Sequence, residues 1–181
     1  MRTDSFIRLY VSELQKLHSM ELELAGALPQ MAAAARHREL LETLHDQIRS
    51  ARRHATRLEK IFTELGVSKG AEVCRPFQEL IREGLELIGA YGDPEVRDAA
   101  LIARVRSLFQ GKVVLYDTAR IFARHLGLND QGQLLQKTLE EQEQANRSLR
   151  QLAEGGWFAH ELSHPRPAPK ETAFFSQRVW I

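Results

Sequence analysis

The sequence predicts an all-α protein: a four-helix bundle with one extra short helix and an extended C-terminal tail. Three observations carry this. Apolar residues recur at three- and four-residue steps over four long stretches and one short one. Glycines and prolines stand where one stretch would stop and the next begin. No segment shows strand-like alternation of useful length, and no solenoid period recurs.

The first helix starts near Asp4 and carries Phe6, Leu9, Tyr10, Leu14, Leu17, Leu24 and Leu28 on one side. Pro29 removes a backbone donor, so a kink or an end is expected nearby. The second stripe runs through Leu41, Leu44, Ile48, Ala51, Ala55, Leu58, Phe62 and Leu65, and Gly66 stops it. A shorter helix holds Phe77, Leu80, Ile81, Leu85 and Ile88, with Pro76 suited to its first turn. Tyr91-Gly92-Asp93-Pro94 reads as a turn. The fourth helix spans about 94–125, with Ile102, Val105, Phe109, Val113 and Tyr116 inward. Gly127 to Asp130 separates it from a fifth helix bearing Leu135, Leu139, Leu149 and Leu152, which Gly155-Gly156 should end. Four long helices and one short one make a bundle with a crossover element.

The boundaries drawn are a bundle over residues 1–153 and a tail over 154–181. The tail holds Trp157 and Phe158, then the run Pro165-Arg166-Pro167-Ala168-Pro169, then Phe174, Phe175, Trp180 and Ile181. The proline run favours an extended spacer. Chain ends are usually polar, so an apolar, aromatic one suggests docking. The seat is a groove on its own domain, a second subunit or another protein. The aromatic residues and Ile181 are the candidate partner-binding residues.

Bulk composition narrows the function classes. The 181 residues are 43% hydrophobic and 27% charged, with 25 Lys plus Arg against 24 Asp plus Glu. A net charge of +1 gives no reason to expect a nucleic acid. No apolar run approaches the roughly 18 residues needed to cross a bilayer. The start, MRTDSFIRLY, lacks the apolar core of a signal peptide. The lone cysteine, Cys74, forms no internal disulfide and fits a reducing compartment. A soluble, cytoplasmic protein is expected.

Several separated segments carry a family likeness: Ala27-Leu28-Pro29-Gln30-Met31, Arg57 to Phe62, Glu79 to Gly84, Val96-Arg97-Asp98-Ala99-Ala100-Leu101-Ile102-Ala103, and Leu134 to Glu141. With these strings the chain resembles the YciE/YciF family of bacterial ferritin-like proteins, over about residues 4–153 and without the tail. The resemblance implies a five-helix homodimer with a di-metal carboxylate centre in the bundle. Glu21 matches the family's helix-one glutamate. The other implied ligand positions hold Ser50 and His54, Phe109 and Lys112, and Gln142 and Asn146. A di-iron site needs several anionic oxygens to offset two dications. Only Glu21 supplies one, so the expectation is a degenerate site with no metal and no cofactor.

Helical phase gives the same positions a physical reading. Glu21 falls between Leu17, Leu24 and Leu28 on the buried stripe, and Lys112 lies three beyond Phe109 and four before Tyr116. A lone buried carboxylate is either protonated or matched by a cation. Lys112 is the expected counter-charge to Glu21, with Gln142 and Asn146 completing a hydrogen-bond network. Arg49 and Arg52 fall off the stripe and belong on the surface.

Other constellations weigh less. His160 and His164 are four apart, but the nearby prolines oppose the helix a zinc pair needs. Cys74 has no cysteine or histidine partner and reads as a packing residue. The Arg49–His54 and Arg120–His125 spacings resemble those of helical HEPN-type nucleases, yet such spacings arise by chance among 25 basic residues. The functional expectation is a non-catalytic, metal-free bundle that dimerises and binds protein partners through its tail, with a link to stress. The alternative is a di-metal oxidase, peroxide-detoxifying or metal-storage protein.

Overall fold

The computed structural model describes residues 2–70 and 72–154. Five helices follow in order: α1 (Arg2–Ala34), α2 (Arg38–Leu65), α3 (Arg75–Ala90), α4 (Pro94–His125) and α5 (Asn129–Glu154). No strand occurs among the described residues. The hairpins α1–α2 and α4–α5 pack most extensively, α1 meets α4, α2 meets α5, and α3 lies across α1 and α4. This is the expected bundle with a short crossover helix. The tail expectations, from Gly155-Gly156 through Trp157, Phe158, His160, His164, Phe174, Phe175 and Trp180 to Ile181, lie outside the described residues.

Helix ends follow local chemistry. Gly66 closes α2 at φ 64°, and the next amide, of Val67, bonds back to the Phe62 carbonyl. Gly127 repeats the device after α4 at φ 74°, with Leu128 N–H reaching the Ala123 carbonyl. Asp93 caps α4 by accepting from the Glu95 and Val96 amides, and Pro94 follows at the first helical turn. Pro29 does not end α1, which continues to Ala34. The turn beyond the proline carries Met31 and Ala32, both buried, and that packing holds the helix past one missing amide bond.

The core has two lobes. One joins Leu24, Leu28 and Met31 of α1 with Leu40 and Leu44, Phe77 and Ile81, Leu101 to Leu108, and Leu149 and Leu152. The other joins Tyr10, Leu14 and Leu17 with Leu58 to Phe62, Tyr116 to Ala123, and Leu135 and Leu139. Glu21, His54, Lys112 and Gln142 are fully buried as well, and they form the polar site of the interior. Helix α2 buries Leu40 rather than Leu41, and its inner face also takes in Gln47, Ser50 and His54.

Candidate functional site

Four helices meet around a buried polar cluster: Glu21 from α1, His54 from α2, Lys112 and Tyr116 from α4, and Gln142 from α5. Glu21 is the hub. Its Oε2 accepts from Lys112 Nζ at 2.7 Å, and its Oε1 accepts from the Tyr116 hydroxyl at 2.8 Å. His54 Nδ1 lies 3.3 Å from the same Oε1 and 3.1 Å from Gln142 Nε2. His54 Nε2 stands 2.8 Å from Glu141 Oε2. An ionised carboxylate only accepts, so that nitrogen carries a proton. Glu141 in turn receives two bonds from the Arg57 guanidinium, at 2.9 and 2.7 Å. The chain Lys112–Glu21–His54–Glu141–Arg57 therefore runs from the bundle centre to its α2–α5 rim.

Electrostatics follow the geometry. Burial alone would raise the Glu21 pKa, but the adjacent Lys112 charge and the His54 contact outweigh it and hold the carboxyl below its ordinary value. Burial pushes Lys112 down while Glu21 opposes it. Burial and the Glu21 charge raise Tyr116 well above the usual phenol range, so its hydroxyl stays a donor. At Glu141 the desolvation is overcome by Arg57 and His54, and the pKa is lowered to about 2. Lys112 Nζ also stands 6.0 Å from the Phe109 ring centroid, at the outer edge of cation–π range.

The predicted positions divide. Lys112 meets Glu21, and Gln142 reaches them through His54, which the expected network did not include, with Phe109 packed beside the lysine. Ser50 stays at the rim, accepting from Arg53. Asn146 does not join the network: it is half-buried and donates to Gln110 across the α4–α5 surface at 2.6 Å. Four residues beyond Gln142 it stands about 40° past a full turn, and Ala145 takes the inward position instead. Sequence reasoning missed Tyr116, Glu141 and Arg57 as members. Tyr116 carried a signal, four residues beyond Lys112 on the same stripe; Glu141 and Arg57 carried none, because both reach in from beside the stripe.

Two other sequence expectations resolve. Arg49 is exposed and paired with Asp46, whereas His54 is fully buried, so that pair presents no joint surface to a phosphate ester. Arg120 binds Asp117 while His125 stacks near Phe6. Cys74 is half-buried against the first core lobe.

A di-metal centre does not fit these residues. Fully buried at the centre is one carboxylate, and both its oxygens already accept from Lys112 and Tyr116. An ammonium at 2.7 Å stands where a dication would need to approach, and like charges repel. Among the described residues no group of three or more His, Cys, Asp or Glu side chains is arranged to hold a metal. None of the described helices is long and apolar enough to cross a membrane.

Comparison with known proteins sets this chain in a family. The model of the family described as a domain of unknown function, DUF892, matches residues 5–160. Protein YciF of Escherichia coli K12 is 30% identical over 151 residues, covering 83% of this chain and 89% of the relative. The crystal structure of the E. coli stress protein YciF superposes with a TM-score of 0.79 at 27% identity, covering 82% of this chain and 94% of that one. YcfI from Rhodopseudomonas palustris superposes at 0.77 with 28% identity, covering 80% and 92%.

Proposed function

The chain belongs to the DUF892 family, and we propose that within it this protein is a non-catalytic, metal-free bundle that works by dimerising and binding protein partners. The observation that carries this reading is the buried Lys112–Glu21 pair. A fixed ammonium supplies the counter-charge that the resemblance would otherwise assign to ions. Phe109, beside it, offers no oxygen at another of the implied ligand positions. Both oxygens of the one central carboxylate are taken by Lys112 and Tyr116, and the reading places function at the surface and the tail. The aromatic residues Trp157, Phe158, Phe174, Phe175 and Trp180, with Ile181, support a role for the tail in partner capture. The description of the E. coli relative as a stress protein supports a role under stress.

Metal analysis of the full chain, purified from cells grown with added iron and manganese, tests the reading. The expected content is well below one metal per chain. About two per chain, the complement of a di-metal site, would overturn it and favour an oxidase or storage protein.

A further inference from the structure

Helix α4 has an uncharged outer face, as α1 does from Leu9 to Ala33. Every exposed residue between Val96 and Ile121 is uncharged: Val96, Ala103, Ser107, Gln110, Val114 and Ile121. The corresponding face of α2 exposes Glu42, Asp46, Arg49, Arg52, Arg53 and Lys60. Solvated helix faces normally look like α2. The α4 strip is about 38 Å long at 1.5 Å per residue, and Val114 on it is 57% exposed. Its middle sinks into a groove of about 510 Å³ between α4 and α5, lined by Ala103, Arg106, Ser107, Gln110, Val114 and Asn146. Gly111, which also lines it, leaves open space where a side chain would stand. Arg106 brings the single charge, and its Nε is shut off from solvent with no hydrogen-bond partner.

Chain direction points to the occupant. Leu149 and Leu152 of α5 pack with Leu101, Ile102 and Val105, while Leu135 and Leu139 pack with Tyr116 and Ala119. The two helices are therefore antiparallel, and α5 ends at Glu154 beside the start of the α4 strip. Residues 155–181 leave from that point. At about 3.3 Å per extended residue, half of them would reach the far end of the strip. The segment brings five aromatic residues for the uncharged face.

We propose that residues 155–181 dock in cis along the outer face of α4, seating their aromatic end in the α4–α5 groove. This deepens the functional reading by giving the tail a resting seat that a partner must compete with. It rests on that reading only for the tail's role in capture, not for the docking.

Both tryptophans of the chain, Trp157 and Trp180, lie in the segment, so intrinsic emission reports on the tail alone. The full chain is compared with a synthetic peptide of residues 155–181. The expected result is emission shifted to the blue of the peptide, shielded from acrylamide and independent of protein concentration. Val114→Glu and Ala103→Glu, each on an exposed position, should abolish the shift while helical content by circular dichroism is unchanged. Leu22→Glu, on the exposed face of α1, should leave it intact. Emission equal to that of the peptide overturns the proposal, as does a shift that survives both α4 substitutions. A shift that appears only as concentration rises through dimer formation also overturns it, and gives the strip to a second copy. Metal content has no bearing on this readout, so it fails independently of the metal-free reading.

Discussion

Lys112 does one thing that no neighbouring residue can replace: it neutralises Glu21 inside the bundle. Lys112→Met should leave a buried carboxylate with only Tyr116 and His54, costing about 3–5 kcal/mol. Adding Glu21→Gln to that variant removes the stranded charge and should recover most of the loss. Urea midpoints of the two variants check this; equal destabilisation would show that the pair is not coupled. Glu141 gives a pH signature. Its carboxyl is held down to about 2 in the fold, from an ordinary 4.5. A depressed acid stabilises fully above its ordinary value and stops doing so as pH falls through its folded value. The parent should therefore lose stability between about pH 4.5 and 2, and Glu141→Gln should lose less over that window, as urea midpoints at several pH values will show. Glu21 and Lys112 were legible because both sit on apolar stripes. Glu141 was not, since its side chain enters from the rim beside Gln142 and only the approach of α2 to α5 brings His54 to it.

Helices and their connections were easier to read than the contacts between them. Both ends of α4, the stop of α2 at Gly66 and the start of α5 near Asn129 follow from capping and glycine chemistry that acts over a few residues. Gly66 has open space around it, so Gly66→Ala should cost only the left-handed backbone strain, about 1–2 kcal/mol, read as a fall in urea midpoint. Asp98 shows the limit of local reasoning. It sits in the family-like string of α4, yet its task is long-range. It is buried, and its carboxylate accepts from the Arg36 amide at 3.0 and 2.9 Å and from the His37 amide at 2.6 Å, tying the α1–α2 link to α4. Asp98→Ala should orphan those amides and cost about 2–3 kcal/mol. Faster hydrogen exchange at residues 35–37 would locate the effect there. Nothing in the spacing of Asp98 announces a partner more than sixty residues away.

The bundle as a unit makes a different prediction. A metal bound to the folded state alone stabilises it by mass action. A protein held by its own ammonium should show the same melting temperature with and without a strong chelator, and the same again after iron or manganese is added. A chelator-induced drop of several degrees would contradict the metal-free reading. The two core lobes meet across the polar layer, with Leu17 below Glu21 and Leu24 above it. That layer ties the helices in register, since Glu21 of α1 accepts its bonds only when Lys112 and Tyr116 of α4 stand at its height, and His54 of α2 meets Gln142 of α5 beside them.

The sequence by itself determined the helical class, the five elements and most of their ends, and the shortage of acids at the bundle centre. Those properties reside in residue spacing and in chemistry within a turn or two of chain. The tertiary structure decided which polar groups touch: it joined Tyr116, Glu141 and Arg57 to the interior chain, sent Asn146 to the surface and left α4 with an uncharged outer face. The cause is that a side chain's partner depends on the angle and height at which two helices cross, and neither is written in the period of one helix.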